Sequence, residues 1–569
     1  MDEPREREGN TRLYLLASVV LAAFLVVVGR FVYLQFWQPL VSHAGTSDNV
    51  TESTEEKVEY PPRRGRIYDR DGNLLAVQII TYEIGVNPAK VENPEALAEK
   101  LAPLLRESRV VLMEKLLRKS EPWVRLAKEV EPSVAETIME WGNPALTIDG
   151  HPTRVYPQGN FAGHVLGFVN EEQRAFHGVE EYYQTLLSGQ PGYRSLGRDS
   201  LGNQRCWIVP AQDGADLILT LDREVQYLAE KAISDAVTRY QAERGLVIVL
   251  DPRTGEILAL AVSPSYDPNK YYLADQTLYA NPAVSDHYEP GSVFKIITMA
   301  AGLDAGLVRP ETTYLDNGSI VVGGRTIRNS DRAAHGQVNM VGVLAHSLNV
   351  GAAYISTNLG ATRFYDYVHR FGFGQLTGVD LANEVPGSVR VPGDQGWWES
   401  DLGMNAFGQG LAVTPLQMIT AVAAVANNGV LMKPHIVKAI IRDGVVESVA
   451  PQAVRQVISA QTANELTEML VESTAIAAPG ALVPGYSIAG KTGTAEIPIP
   501  GGYDPVQTIA SFVAYAPADD PRFVALVVLY KPQVDRWGVL SAVPLFHDLA
   551  EDLFRLMGIP PDDVRHALH

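Results

Sequence analysis

The sequence predicts an α+β protein: an N-terminal transmembrane helix, an elongated α+β pedestal domain, then a larger domain with an antiparallel sheet flanked by helices. Three observations predict it. A nearly unbroken apolar stretch runs from Leu13 to Gly29 and resumes after Arg30. Residues from about 61 to 210 mix short strand-like runs with helical ones. The C-terminal half has apolar strand runs at both ends and helical stretches between them.

The apolar stretch reads as an anchor over residues 13–37. A span needs about twenty apolar residues, and this segment supplies them if Arg30 snorkels to the outer interface. Tyr33, Phe36 and Trp37 then form the aromatic belt. Arg5, Arg7 and Arg12 precede the span, and no Lys or Arg occurs between Arg30 and Lys57. The positive-inside bias therefore puts the tail, 1–12, in the cytoplasm and the rest outside the cell membrane. A cleaved signal peptide is the rival reading. The apolar run continues past Arg30 without a small-x-small cleavage site, which favours a retained anchor.

Residues 38–60 are rich in Ser, Thr and Glu and read as a flexible linker. The pedestal follows over 61–212, with a helical pattern at Pro94–Leu101. The last domain spans 213–569. Leu246–Leu250 and Ile257–Leu260, joined by an Asp-Pro-Arg-Thr-Gly turn, predict an antiparallel hairpin. Helices are predicted over 292–303 and 341–359, and a strand over 523–529.

At 569 residues the chain is long enough for several domains. Its formal charge of −19 is the opposite of a nucleic-acid footprint. Cys206 is the single cysteine, so no disulfide can form within the chain. The 12 histidines contain no His-x-x-x-His pair. We find no metal-binding pattern and no cofactor motif.

The chemistry sits in three short motifs. Glu289-Pro290-Gly291 turns the chain just before Ser292-Val293-Phe294-Lys295 and an apolar helix. Serine and lysine three apart share a helix face, as a serine nucleophile and an amine base require. A lone Ser-x-x-Lys is weak, because helix starts with an exposed lysine are common. Two further motifs follow in order, Ser347-Leu348-Asn349 and Lys491-Thr492-Gly493-Thr494. Each alone has an ordinary reading, as a cap or turn and as a strand end. The ordered trio resembles the signature set of penicillin-binding proteins and class A β-lactamases.

The resemblance extends along the chain. Arg63-Arg64-Gly65-Arg66-Ile67-Tyr68-Asp69-Arg70 and Asp71-Gly72-Asn73-Leu74-Leu75-Ala76 resemble the pedestal opening of class B penicillin-binding proteins. Arg154-Val155-Tyr156-Pro157, Gly163-His164-Val165-Leu166-Gly167 and Gly178-Val179-Glu180 are similar to its second half. Asp216–Asp222 resembles the opening strand of the transpeptidase domain, and Gly408-Gln409-Gly410 is a further landmark.

This resemblance implies a monofunctional peptidoglycan D,D-transpeptidase, division-type rather than elongation-type, and a target of β-lactams. Ser292 would attack the carbonyl between two D-alanines of a stem peptide and form an acyl-enzyme. Lys295 would take the serine proton, kept neutral by burial and by Lys491. Ser347 would relay a proton to the leaving amine, and Asn349 would hold Lys295 and the substrate amide. The N–H groups of Ser292 and Thr494 would form an oxyanion hole, where losing a donor costs about 3 kcal/mol. Lys491, Thr492 and Thr494 would bind the terminal carboxylate, and Gly493 would let substrate lie on the strand edge.

The middle of Ser347-Leu348-Asn349 is often serine in this family, so Leu348 implies altered packing. Asp331 and His335 stand where some elongation-type relatives bind zinc, but the cysteine of such a site is missing here. With no room for a fused glycosyltransferase, a SEDS-type membrane glycosyltransferase and other division or elongation proteins are the implied partners. Lipid-linked nascent glycan is the implied substrate and nucleic acid is not. The alternatives are a β-lactamase or D,D-carboxypeptidase, a β-lactam sensor, and a catalytically silent scaffold. The single anchor and pedestal argue against the first, the short tail against the second, and the intact trio against the third.

Overall fold

Strands with both faces buried build the central sheet. In Arg244–Leu250 the side chains of Leu246, Ile248 and Leu250 enter one core, with Leu260, Leu526 and Val528. Val247 and Val249 enter a second core on the opposite face, with Ala261, Phe512 and Val527. Burial on both faces explains why these strands read as continuous apolar runs rather than alternating ones. The sheet has five strands, in the order Ile257–Ser263, Arg244–Leu250, Phe523–Tyr530, Gly502–Ala516, Ala489–Ile499. Every neighbouring pair is antiparallel, and the predicted hairpin is its first pair.

Helices cover both faces. Arg223–Tyr240 and Ala542–Leu556 pack on the second core, the former started by Asp222 accepting from the Glu224 and Val225 N–H groups. Lys295–Asp304, Pro415–Ala426 and Ala460–Ala477 pack on the first. This is the antiparallel sheet flanked by helices that the sequence predicts.

This computed structural model describes residues 57–198 and 204–568. The expected anchor, 13–37, and most of the linker lie outside them. Among the described residues no helix is long and apolar enough to cross a membrane.

A seven-stranded sheet is built from distant parts of the sequence. Its order is Val445–Ser448, Val437–Arg442, Asp216–Leu219, Ile67–Tyr68, Leu74–Val86, Val124–Val130, with Leu146–Val155 also paired to Leu74–Val86. Asp216–Leu219, expected to open the catalytic domain, therefore lies outside the five-stranded sheet. It runs parallel to Ile67–Tyr68 and antiparallel to Val437–Arg442. Leu217 and Leu219 are fully buried there, and that burial fixes its register. Gly65 permits the approach: a Cβ on it would lie 1.9 Å from the Ala215 carbonyl oxygen. Helices Pro94–Leu105, Arg109–Leu116 and Pro132–Met139 pack against this sheet around Leu101, Leu112 and Ile138.

Three family-like segments meet at one buried charge cluster. Arg64 Nε donates to Glu180 Oε2 at 2.7 Å, and Arg154 Nε donates to Glu180 Oε1 at 2.6 Å. Arg154 also donates to the Gly65 carbonyl at 2.7 Å. Burial opposes ionisation of Glu180, yet Arg154 and Arg64 outweigh it and hold this carboxyl below its ordinary range.

A separate unit contains Lys57–Tyr60, Gly192–Arg198 and Gln204–Val209, a three-stranded antiparallel sheet. This differs from two expectations. Residues 57–60 end the linker as a strand, because a partner strand satisfies their backbone groups. Gly192–Arg198 and Gln204–Val209, expected within 61–212, group with that strand for the same reason.

Candidate active site

The nucleophile's turn is clamped before its helix begins. Ser292 lies in a 3₁₀ turn, Gly291–Phe294, and the α-helix starts at Lys295, one turn later than the sequence predicts. Gly291 adopts φ +59° and donates its N–H to the Gly408 carbonyl at 3.1 Å. Gly408 must be glycine for this contact, since a Cβ on it would lie 2.3 Å from the Gly291 carbonyl oxygen. Val293 and Phe294 are fully buried and pin the turn, leaving Ser292 half-buried at its surface.

The second motif sits at a helix break. The helix predicted over 341–359 is two helices, Met340–Ala345 and Asn349–Leu359. Ser347 between them takes φ +53°, a left-handed conformation that a side chain rarely adopts. Leu348, 1% exposed, is driven into the core and holds the break in place. Leucine at this position thus packs inward while Ser347 and Asn349 turn to the site.

All four groups of the first two motifs converge. Lys295 Nζ is 3.1 Å from Ser292 Oγ, 3.1 Å from Ser347 Oγ and 2.8 Å from Asn349 Oδ1, and it also donates to the Ser347 carbonyl. An amine with two protons can donate to Asn349 Oδ1 and the carbonyl while its lone pair faces a hydroxyl. Burial, reinforced by the charge of Lys491, holds the Lys295 amine well below its ordinary range. Asn349 is fixed from behind, its Nδ2 donating to the Arg328 carbonyl at 3.1 Å.

The third motif lies on Ala489–Ile499, at the edge of the five-stranded sheet. Lys491 is buried, and burial lowers its amine to about 8, so it stays mostly protonated at neutral pH. Its Nζ reaches the Thr492 carbonyl, at 3.2 Å, and Thr492 Oγ1, at 3.3 Å. Thr492 and Thr494 are half-buried, and Thr494 Oγ1 accepts the Gly538 N–H at 3.1 Å. Gly493 differs from its expected role. A Cβ on it would lie 2.3 Å from Ser511 Oγ and 2.9 Å from Val293 Cγ1. Its missing side chain lets the strand pack against the nucleophile's turn and does not clear the open edge.

Sequence reasoning missed Glu289, reading it only as part of a turn. Its Oε1 accepts the Gly410 N–H at 3.0 Å and the Tyr503 hydroxyl at 3.4 Å, while Oε2 is buried without a partner among the described residues. Burial raises this carboxyl to about 7. The signal was its place three residues before the nucleophile, facing Gly408-Gln409-Gly410. His335 pairs with Asp331 at 2.8 Å and lies beside the exposed ring of His346. Among the described residues no group of three or more His, Cys, Asp or Glu is placed to hold a metal.

An amine base buried between two serine hydroxyls, facing a second lysine on an edge strand, is an arrangement for acyl transfer. The family described as "Penicillin binding protein transpeptidase domain" matches residues 245–551. The chain is a penicillin-binding protein. A second family, "Penicillin-binding Protein dimerisation domain", matches residues 59–219. Stage V sporulation protein D of Bacillus subtilis is 32% identical, over 97% of this chain and 86% of that protein. Peptidoglycan D,D-transpeptidase FtsI of Escherichia coli is 30% identical, over 97% of this chain and 92% of that protein. Penicillin-binding protein 3 of Mycobacterium tuberculosis, solved with aztreonam, has a TM-score of 0.69 and 30% identity, covering 89% of this penicillin-binding protein and 98% of that chain. These full-length relationships make it a class B penicillin-binding protein of two-domain α+β fold.

Proposed function

We propose that this chain is a peptidoglycan D,D-transpeptidase that cross-links stem peptides through an acyl-enzyme on Ser292. The carrying observation is Lys295 Nζ held 3.1 Å from both Ser292 Oγ and Ser347 Oγ. Ser292 attacks the D-alanyl carbonyl as its proton passes to Lys295. The C–N bond to the terminal D-alanine breaks, and Ser347 passes a proton from Lys295 to the leaving amine. A second stem peptide's amine then attacks the ester, forms the cross-link and frees Ser292. Asn349 orients Lys295, while Lys491, Thr492 and Thr494 bind the terminal carboxylate. The Ser292 and Thr494 N–H groups receive the oxyanion. The M. tuberculosis relative solved with aztreonam supports acylation of Ser292 by β-lactams.

The anchor over 13–37, an extracytoplasmic catalytic domain and a separate SEDS-type glycosyltransferase partner belong to this reading. The apolar N-terminal sequence supports the anchor. The division-type role rests on the context Ser330-Asp331-Arg332-Ala333-Ala334-His335-Gly336.

The test is labelling of the full-length protein in detergent with a fluorescent penicillin, followed by mass spectrometry over time. A long-lived adduct on Ser292, absent in Ser292→Ala, is expected. Rapid hydrolysis of the adduct would point to a β-lactamase, and no adduct would sink the catalytic assignment.

A further inference from the structure

The nucleophile's turn and the Gly408-Gln409-Gly410 loop are joined by a row of contacts that run in opposite chain directions. Tyr288 and Val413 exchange two backbone hydrogen bonds, each 3.0 Å. Gly410 donates its N–H to Glu289 Oε1 at 3.0 Å. Gly291 donates to the Gly408 carbonyl at 3.1 Å, and Thr298 Oγ1 donates to the Ala406 carbonyl at 2.7 Å. Ser292 lies inside this row, directly after Gly291.

The middle of the row is its soft point. Gly291, Gly408 and Gly410 take φ of +59°, +78° and +76°. Glycine reaches such angles without strain, and it gives up the most conformational freedom to stay there. From the outer side the loop is held by Asn405 Nδ2, which donates to the Gln409 carbonyl at 2.8 Å, and by Gln409 Nε2, which donates to Glu496 Oε2 at 3.0 Å. From the nucleophile's side, the Glu289 carboxyl is the side chain in this row that restrains it.

Glu289 reaches a third element as well. Tyr503, the cross-strand partner of Pro498, donates its hydroxyl to the same Oε1 at 3.4 Å. One carboxyl oxygen thus joins the turn, the loop and the far end of the edge strand's hairpin. Burial raises this carboxyl to about 7, against the lowering effect of Gly410 and Tyr503. Of its charged neighbours, Glu496 adds to the rise and Arg390 opposes it. The neutral acid is therefore well populated at pH 7, and an amide of the same shape can take its place.

We propose that Glu289 is a positioning residue for the nucleophile: its Oε1 fixes the 408–410 loop, the loop fixes Gly291, and Ser292 Oγ is thereby kept within reach of Lys295 Nζ. Glu289 acts through these neighbours and not on substrate. A reacting group misplaced by about 1 Å loses up to about 10²-fold in rate, so a modest slackening of the loop is enough to matter. The proposal rests on the transpeptidase reading above.

The experiment follows acylation of the full-length protein in detergent by a penicillin over a range of concentrations, which separates the acylation rate constant from the binding step before it. Glu289→Ala leaves the Gly410 N–H and the Tyr503 hydroxyl without their acceptor. It is expected to lower the acylation constant about tenfold while binding stays within about twofold. Glu289→Gln keeps an oxygen for both donors and should stay within about threefold of wild type. A residue needed only for folding would give neither that split nor rescue by the amide. Glu289→Met fills the space without an acceptor and replaces Glu289→Ala if circular dichroism shows the latter unfolded. If neither folds, Glu289 is a determinant of folding and the proposal falls. It is also overturned if Glu289→Ala acylates at the wild-type rate, if the loss lies in binding, or if Glu289→Gln is no faster than Glu289→Ala. Wild type that is never labelled on Ser292 sinks the transpeptidase reading instead, and this proposal with it.

Discussion

Two lysines share the site at the residue scale, and Lys491 helps to set the protonation of Lys295. Burial disfavours a charge on both, and Lys491 keeps Lys295 neutral by repulsion. Lys491→Gln removes that repulsion, so the Lys295 pKa rises and the acid limb of the acylation profile moves to higher pH. The same change removes a cation for the substrate carboxylate, and acylation at neutral pH should fall roughly 10- to 100-fold. In wild type the alkaline limb should begin near pH 8, where Lys491 loses its proton. Second-order rate constants for a penicillin, measured across pH on both proteins, check all three outcomes. The convergence of Ser292, Lys295, Ser347 and Asn349 was legible because their chemistry constrains residue type. Glu289 was not, because its partners, Gly410 and Tyr503, come from segments far along the chain.

Elements were legible where a local pattern decides them. The Leu246–Ile257 hairpin and the Phe523 strand announce themselves as apolar runs bounded by turn residues. The break at Ser347 does not, because Val341–Leu359 carries no proline to stop a helix and tertiary packing of Leu348 interrupts it. The edge strand and the nucleophile's turn meet at Gly493 with no space to spare. Gly493→Ala should push the strand away from Val293 and lower acylation by up to about 10²-fold, since small displacements at a reacting centre are costly. Adding Ser511→Ala removes the closer clash and should restore part of the rate. No recovery, with folding intact by circular dichroism, would mean that the strand edge itself fails.

At the scale of the whole molecule, the charge cluster at Glu180 joins segments that the sequence presents only as separate motifs. Glu180→Ala leaves Arg64 and Arg154 buried without a counter-charge, a loss of about 3–5 kcal/mol in stability. Denaturant unfolding monitored by tryptophan fluorescence checks it. The folded pKa of Glu180 lies below its unfolded value, so its contribution is present above the unfolded pKa, near 4.5, and fades as pH falls through the folded one. Glu289 has the opposite sign, its pKa raised to about 7, so its ionisation weakens the fold as pH climbs towards 7. Which strands share a sheet was the least legible feature, because pairing between distant segments leaves no local mark. Asp216–Leu219 finds one neighbour in Ile67–Tyr68 and the other in Val437–Arg442. That second neighbour emerges about two hundred residues later from a chain made from its N-terminus. Until it arrives, Asp216–Leu219 exposes a row of unpaired backbone groups, the kind of edge that invites aggregation. Synthesis of this chain thus passes through an unfinished stage in which a buried strand waits for a neighbour made long after it.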